Sequence, residues 1–490
     1  MASLTKRATA LIICRVFNFA VLAVSPMILV RIFDVRSYGQ YREFILYAIM
    51  ISGLVEFTIN TNLIYFIPKY PKRERQSVTH TALLILAASV VGLVGLYLLR
   101  GLVLSHTSFD FIAPLMLYLL FNLNFEFFEN YWLGRKRTDY VLYYSLARVT
   151  VRTTAIVVAA AVSRNVMTVI ETMVVVEVAK CLFVFTALRG VLTKHLDRAL
   201  FKEQLRYILP LGTSSTISLV NNQLANLFIS IRMGVERLAI YTTGAYQIPV
   251  INIIRSSVMD VLFPEMAQIG DADRLRLWKR ANVVFCFLIF PVYVVFFYYA
   301  PTVIITLFTK NYAASIPLFR IYTTLLLLQC FDMGSPLRAM NKNQYFILGV
   351  LLDLSANLLL LFLLFPHIGF LTPALTFIVG ETTGAVYLAA TILRLYRIGL
   401  RELFMWRKIG TIVCCLLIAL PVLIVSNWVG MNAVAKAILF SSAYLLVYYF
   451  ILRKFRIDEV ELLVEKLMAR YRRWRERALP AQGEAGPRRS

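Results

Sequence analysis

Apolar residues in this chain come in long blocks separated by short polar connections. Stretches of about 20 mainly apolar residues, enough to cross roughly 30 Å of hydrocarbon as helix, follow one another along nearly the whole length. About fourteen spans result, beginning near positions 8, 43, 80, 110, 141, 166, 207, 240, 281, 317, 345, 372, 409 and 434. No gap between them could hold a soluble domain. The pattern predicts an all-α polytopic membrane protein.

Composition agrees: 59% hydrophobic residues, 16% charged residues and a mean hydropathy of +0.71 lie outside the balance of a soluble domain. Short inner loops collect Lys and Arg. With the N-terminus inside, about 36 basic residues fall on the inner side, about 7 outside and about 8 within spans, accounting for all 51. Both termini are then cytoplasmic. "PKYPKRER" (Pro68 to Arg75), "GRKR" (Gly134 to Arg137), "RLYRIGLREL" (Arg394 to Leu403) and "ARYRRWRER" (Ala469 to Arg477) carry much of the bias. The net charge of +24 is therefore mostly topology, and nucleic-acid binding is set aside because no recognisable motif on a basic face is visible. The N-terminal run resembles a signal peptide, but Arg15 interrupts it and no small-residue cleavage site follows, so it reads as a retained first span. Cys14, Cys181, Cys286, Cys330, Cys414 and Cys415 show no C-x-x-C spacing, and His80, His106, His195 and His367 are scattered. No disulfide framework, metal site or cofactor is expected.

The chain repeats itself. "VRSYGQY" (Val35 to Tyr41) returns as "VERLAIY" (Val235 to Tyr241); "YFIP" at Pro68 returns as "VLFP" at Pro264; "RKRTDY" ending at Tyr140 returns more weakly as "NKNQY" ending at Tyr345. Recurrence at nearly one offset points to two related halves. Six spans separate each pair, so the repeat is parallel, about an axis along the membrane normal. Parallel repeats are a recurring transporter design, with the substrate between the halves. The expected division is an N-terminal lobe at 1–206 (spans 1 to 6), a C-terminal lobe at 207–394 (spans 7 to 12), spans 13 and 14 at 395–453, and a cytoplasmic tail at 454–490.

Several loop patterns carry a resemblance. "SYGQY" after span 1, "GVERLAIYTTGAYQI" after span 7, "FPEMAQ" closing span 8 and "LFTKNYAASIPLFRI" before span 10 together resemble the polysaccharide transporter family. Its Wzx-type flippases handle O-antigen and exopolysaccharide, and it belongs to the multidrug/oligosaccharidyl-lipid/polysaccharide exporter superfamily. The resemblance covers roughly residues 5 to 455. It implies two six-helix lobes around a central cavity that opens alternately to each side of a bacterial cytoplasmic membrane. It also implies a polyprenyl-pyrophosphate-linked oligosaccharide as cargo, for cell-surface polysaccharide such as lipopolysaccharide.

The residues can be asked separately what such a cavity needs. An ionisable side chain inside a span costs roughly 2.5–3.5 kcal/mol, so each one that cannot reach the interface needs a partner or a wet cavity. Arg15 and Asn18 share a face of span 1, Arg148 and Arg152 one face of span 5, and Arg255 lies beside Asn252 in span 8, with Arg320 near the outer end of span 10. Guanidinium presents forked donors suited to pyrophosphate oxygens. The alternative is pairing with intramembrane acids, among Glu56, Glu126, Glu129, Glu171, Glu177, Asp260, Asp332, Asp353 and Glu381. Glu56, Asp353 and Glu381 are candidates to couple transport to a proton or sodium ion, with salt bridging as the competing role. Span 7 places Ser214, Ser218, Asn222 and Asn226 on one face at four-residue steps, flanked by Asn221 and Gln223. Hydroxyls and amides suit sugar hydroxyls, and interhelical hydrogen bonding is the other use of such a face. In the tail, Val460, Leu463, Val464, Leu467, Tyr471 and Trp474 recur at helical spacing, an amphipathic helix whose basic end can rest on anionic lipid.

Three functions follow. The first is a lipid-linked oligosaccharide flippase, with membrane lipids and polysaccharide polymerase or export machinery as partners. The second is a multidrug or other lipid exporter of the same superfamily, against which the arginines argue. The third is a polytopic glycan-assembly enzyme, disfavoured by external loops as short as "SHTSFD", "SRN" and "PHIGFL". The expected protein is a transporter and not an enzyme.

Overall fold

The computed structural model describes residues 17–461 except 19, 22, 23, 102–104, 106, 247–254, 256, 257, 260, 261, 264, 267 and 341. Arg15, Asn252 and nearly all of the amphipathic tail lie outside the described residues. What is described is helical. In chain order the main helices are α1 (Val35–Glu56), α2 (Asn62–Lys69), α3 (Glu74–Leu98), α4 (Ile112–Leu123), α5 (Phe128–Gly134), α6 (Thr138–Ser163), α7 (Val166–Leu188), α8 (Arg198–Met233) and α9 (Val235–Gly244). They continue as α10 (Asp271–Tyr298), α11 (Ala300–Phe308), α12 (Ile316–Gln329), α13 (Gly334–Ala339), α14 (Asn343–Ile368), α15 (Thr372–Tyr396), α16 (Trp406–Ala419), α17 (Pro421–Val425) and α18 (Ala433–Arg453). Among the described residues, six helical segments are long and apolar enough to cross a membrane, or seven if α1 and α2 count as one bent span.

The chain forms two compact units. One holds residues 1–262, 300–325 and 341–388; the other holds 263–299, 326–340 and 389–490. In the second unit α16 packs between α10 and α18, with Cys286, Ile289, Ile412, Cys415 and Tyr444 fully buried. Trp278 Nε1 donates to the Asp332 carbonyl at 2.8 Å, and Lys408 pairs with Glu459 at 2.6 Å. The start of the tail belongs to this unit: Ile457 and Val460 are buried.

The first unit brings the two similar sequence segments together. The segments "VRSYGQY" and "VERLAIY" pack against each other, α1 on α9. A Cβ on Gly39 would lie 2.2 Å from the Val235 carbonyl oxygen, so only glycine lets the backbones meet there. Tyr41 and Tyr241 are both buried, and the Tyr241 hydroxyl shares a hydrogen bond with Tyr322. Glu43, fully buried, accepts from the Ser230 hydroxyl at 2.9 Å and the Ser108 hydroxyl at 2.8 Å, which ties α1 to the end of α8. Farther along the same crossing, Gly53 faces Leu219 and Gly212 faces the Phe57 ring, each too close for a Cβ. Small residues let membrane helices approach in this way, where lipid offers no hydrophobic drive for association.

Two interruptions shape this unit. Phe57 and Thr58 adopt left-handed φ values of 43° and 57°, and α1 and α2 diverge by 56°. Phe125, at φ 65°, separates α4 from α5. Non-glycine residues in this region cost on the order of 1–3 kcal/mol each, so the surroundings must enforce them. Each break also frees backbone carbonyls that lipid cannot hydrogen-bond.

Candidate functional site

The α4–α5 break is where the first polar cluster forms. Lys180 of α7 donates to the Asn122 carbonyl at 3.0 Å, capping the open end of α4, where a cation also meets the negative end of the helix dipole. The same ammonium pairs with Glu126 at 2.9 Å and Glu177 at 2.7 Å, and is only 7% exposed. Glu126, at the break itself, also binds Arg148, whose second nitrogen lies 3.4 Å from Glu129. Arg152 lies 3.6 Å from Glu177 and donates to the Tyr118 hydroxyl at 2.8 Å. Three cations and three carboxylates thus form one continuous network. Glu56, ending α1 at the other break, lies within electrostatic reach of Glu126. Asn18 donates to Ser145 of α6 at 2.6 Å.

Arg148 and Arg152 therefore share one helix face, as their spacing predicts, and carboxylates lie opposite both. They also line a groove between α6 and α7 of about 610 Å³, together with Glu177 and Lys180. Lys180 escaped the sequence reading, although a lone lysine inside an apolar span, three residues after Glu177, is the signal that could have found it.

The second cluster is built by α8, α14 and α15. Asn221 Nδ2 donates to Asp353 Oδ2 at 2.8 Å, and Asn357 Nδ2 donates to Asn221 Oδ1 at 3.0 Å. All three side chains are buried. Asp353 Oδ1 is buried without a hydrogen-bond partner. Gly380 of α15 presses on this carboxyl group and Gly384 on the Asp353 Cβ; a Cβ on Gly380 would lie 2.5 Å from Asp353 Oδ1. Glu381 lies within electrostatic reach of Asp353 and of Arg255. Glu381 thus lies near two other sequence candidates, Asp353 and Arg255. Asn357, one turn after Asp353, is the partner that sequence reasoning missed.

The polar face of α8 divides its roles. Asn221 turns inward to Asp353, while Asn222 is exposed. Ser214 donates to the Leu211 carbonyl and Asn226 donates to Gln223, both within the helix. Ser218 is half-buried on the same side. Arg320 stands near the start of α12, half-buried.

Interrupted spans with carboxylates at or near the breaks, and a buried carboxyl group held by amides, mark a helical membrane protein with polar groups built into its spans. The sequence matches the family model described as polysaccharide biosynthesis protein over residues 28–317, and the chain belongs to that family. Its fold is similar to that of the lipid II flippase MurJ in an inward closed conformation, with a TM-score of 0.63 and 12% identity over 92% of this chain and 99% of that one. It is also similar to an inward-facing multidrug resistance MATE transporter of the MOP superfamily, at 0.56 and 14% over 79% of this chain and 96% of that one. A MOP superfamily transporter from Pyrococcus furiosus gives 0.55 and 16% over 80% and 96%. No curated protein matches the sequence.

Proposed function

We propose that this protein is a flippase that carries a polyprenyl-pyrophosphate-linked oligosaccharide from the inner to the outer leaflet of a bacterial cytoplasmic membrane, by alternating access, for cell-surface polysaccharide synthesis. Membership of a polysaccharide biosynthesis family supports the glycan, and the fold shared with a protein named as a lipid II flippase supports the lipid carrier. The single observation that carries the mechanism is the buried Asp353 carboxyl group, held by Asn221 through one oxygen, without a hydrogen-bond partner on the other, and within electrostatic reach of Glu381. A buried acid without a bonded cation is costly in a membrane and marks an ion or proton relay. In this reading Asp353 and Glu381 take up the coupling proton or sodium ion, and Glu56 is a further candidate. The exposed Asn222, with Ser214, Ser218 and Asn226, receives sugar hydroxyls. Arg255 contributes to an anion-attracting path shared with Arg15 and Arg320.

The test is transbilayer movement of a labelled polyprenyl-pyrophosphate oligosaccharide in proteoliposomes. Asp353→Asn is expected to slow movement about tenfold, equivalent to about 1.4 kcal/mol, and to abolish its response to an imposed proton or sodium gradient. Arg255→Gln is expected to raise the substrate concentration for half-maximal rate. If the intact protein moves no such lipid under any gradient, the proposal fails.

A further inference from the structure

The two helix breaks of the first unit are closed in different ways. At the α4–α5 break a cation of the protein, Lys180, meets both the free end of α4 and the Glu126 carboxylate. At the α1–α2 break the last residue of α1 is itself an acid, Glu56, and the final turn of α1 holds no basic residue. The C-terminal end of a helix carries partial negative charge, so a carboxylate is disfavoured there unless a cation accompanies it. Among the described residues, no Lys, Arg or His pairs with Glu56. Its charged neighbour is another acid, Glu126, which is already met by Arg148 and Lys180. The three cations and three carboxylates of the adjoining network balance one another, so Glu56 is left without a counter-charge.

Across the break stands a side chain with the complementary need. Asn60 is 1% exposed, and neither its Oδ1 nor its Nδ2 has a hydrogen-bond partner, although its amide lies beside the Glu56 carboxyl group. The residue is held in place by its backbone, since Asn130 of α5 donates to the Asn60 carbonyl at 3.1 Å. One turn before Glu56, the Ser52 hydroxyl oxygen lies 3.4 Å from Asn122 Nδ2. Carboxylate, amide and hydroxyl oxygens are ligands for a hard cation.

We infer that the α1–α2 break binds one sodium ion, held by the Glu56 carboxylate and the Asn60 amide oxygen, with Ser52 as a further oxygen one turn away. A single uncompensated carboxylate calls for a single positive charge, which favours a monovalent ion over a divalent one. In membrane transporters, the C-terminal ends of interrupted helices are places where sodium is coordinated. The ion ties α1 to α2 across their 56° bend, as Lys180 ties α4 to Glu126 across the other break. The site is separate from the cluster around Asp353, and it does not rest on the flippase reading.

Equilibrium binding of radiolabelled sodium to the purified full chain tests it, with no glycan lipid present, so the outcome is independent of what the protein carries. The measurement is made on the wild-type chain and on Asp353→Asn, which removes the other acid able to hold the ion. Asp353→Asn is expected to keep a saturable sodium site. Adding Glu56→Gln to it is expected to weaken that site at least about tenfold, and adding Glu56→Asp, which keeps the charge on a shorter arm, to weaken it less. Three results would overturn the inference: no saturable sodium binding by the wild-type chain, loss of all sodium binding in Asp353→Asn, or undiminished binding when Glu56→Gln is added. The first of these needs no variant, and Glu56→Asp carries the comparison if Glu56→Gln fails to fold.

Discussion

The two polar clusters of the first unit solve the same problem in opposite ways. Around α6 and α7, each of the three networked carboxylates is met by a cation: Glu126 by Arg148 and Lys180, Glu177 by Arg152 and Lys180, Glu129 by Arg148. Around α14, Asp353 is met by an amide and one of its oxygens is left without a partner. Burying a charge in low dielectric is expensive, and a paired network recovers the cost through Coulomb attraction and hydrogen bonds. A carboxyl group held by amides recovers less in its charged form, which leaves it open to a proton or a passing cation. The first arrangement holds a broken helix in place; the second is suited to change its state. A membrane arginine is therefore poor evidence for a substrate site until its neighbours are known, and an acid beside asparagines is better evidence than an acid beside arginines.

The comparison breaks most sharply at Lys180. Lys180→Met should destabilise the protein by about 3–5 kcal/mol, because it leaves Arg148 and Arg152 to balance the three carboxylates Glu126, Glu129 and Glu177 and uncaps α4. Thermal unfolding in detergent should show it. Asp353→Asn should leave thermal stability nearly unchanged in the same assay while impairing transport, since an amide oxygen still accepts from Asn221. A large loss of stability in Asp353→Asn would show that both clusters are structural. Next in size is Gly380→Ala. Its new methyl group would press on Asp353 Oδ1, and overpacking of this kind costs about 1–3 kcal/mol. Transport should fall with it, and normal transport at full stability would show that the carboxyl group has more freedom than its packing implies.

The smallest effect is a control outside both clusters. Asp197 caps α8, and its carboxyl group is held below the usual value of 3.8, first by the Leu200 backbone N–H, with Ala199 and Arg73 adding to it. A depressed acid stabilises the fold fully above its unfolded value, and that contribution is lost as pH falls through the lower folded value. Acid unfolding below about pH 4 should therefore be slightly less steep in Asp197→Asn, which still caps but cannot titrate. An unchanged acid limb would remove Asp197 from the account.

How much of this was legible beforehand differs from residue to residue. Arg148 and Arg152 are four apart, so helical geometry alone places them on one face. Asp353 and Glu381 were visible as acids inside apolar runs. Asn221 was visible only as a flank of the Ser214–Asn226 face, because the side to which it turns depends on where α14 lies. Lys180 and Asn357 had local signals that stood beside stronger ones. The breaks at Phe57 and Phe125 had none, since phenylalanine carries no preference for the left-handed region and only packing enforces it there.

The sequence by itself determined the class of the protein, because spans of apolar residues leave helices as the only way to satisfy the backbone in lipid. It also determined that two segments correspond, through "VRSYGQY" and "VERLAIY". Only the tertiary structure decided that these segments touch, that Gly39 is glycine because the Val235 carbonyl lies against it, and which charges are paired. Periodicity follows from the chain's own helical geometry, whereas the pairing of a charge depends on side chains that come from distant segments and meet only once the helices have packed.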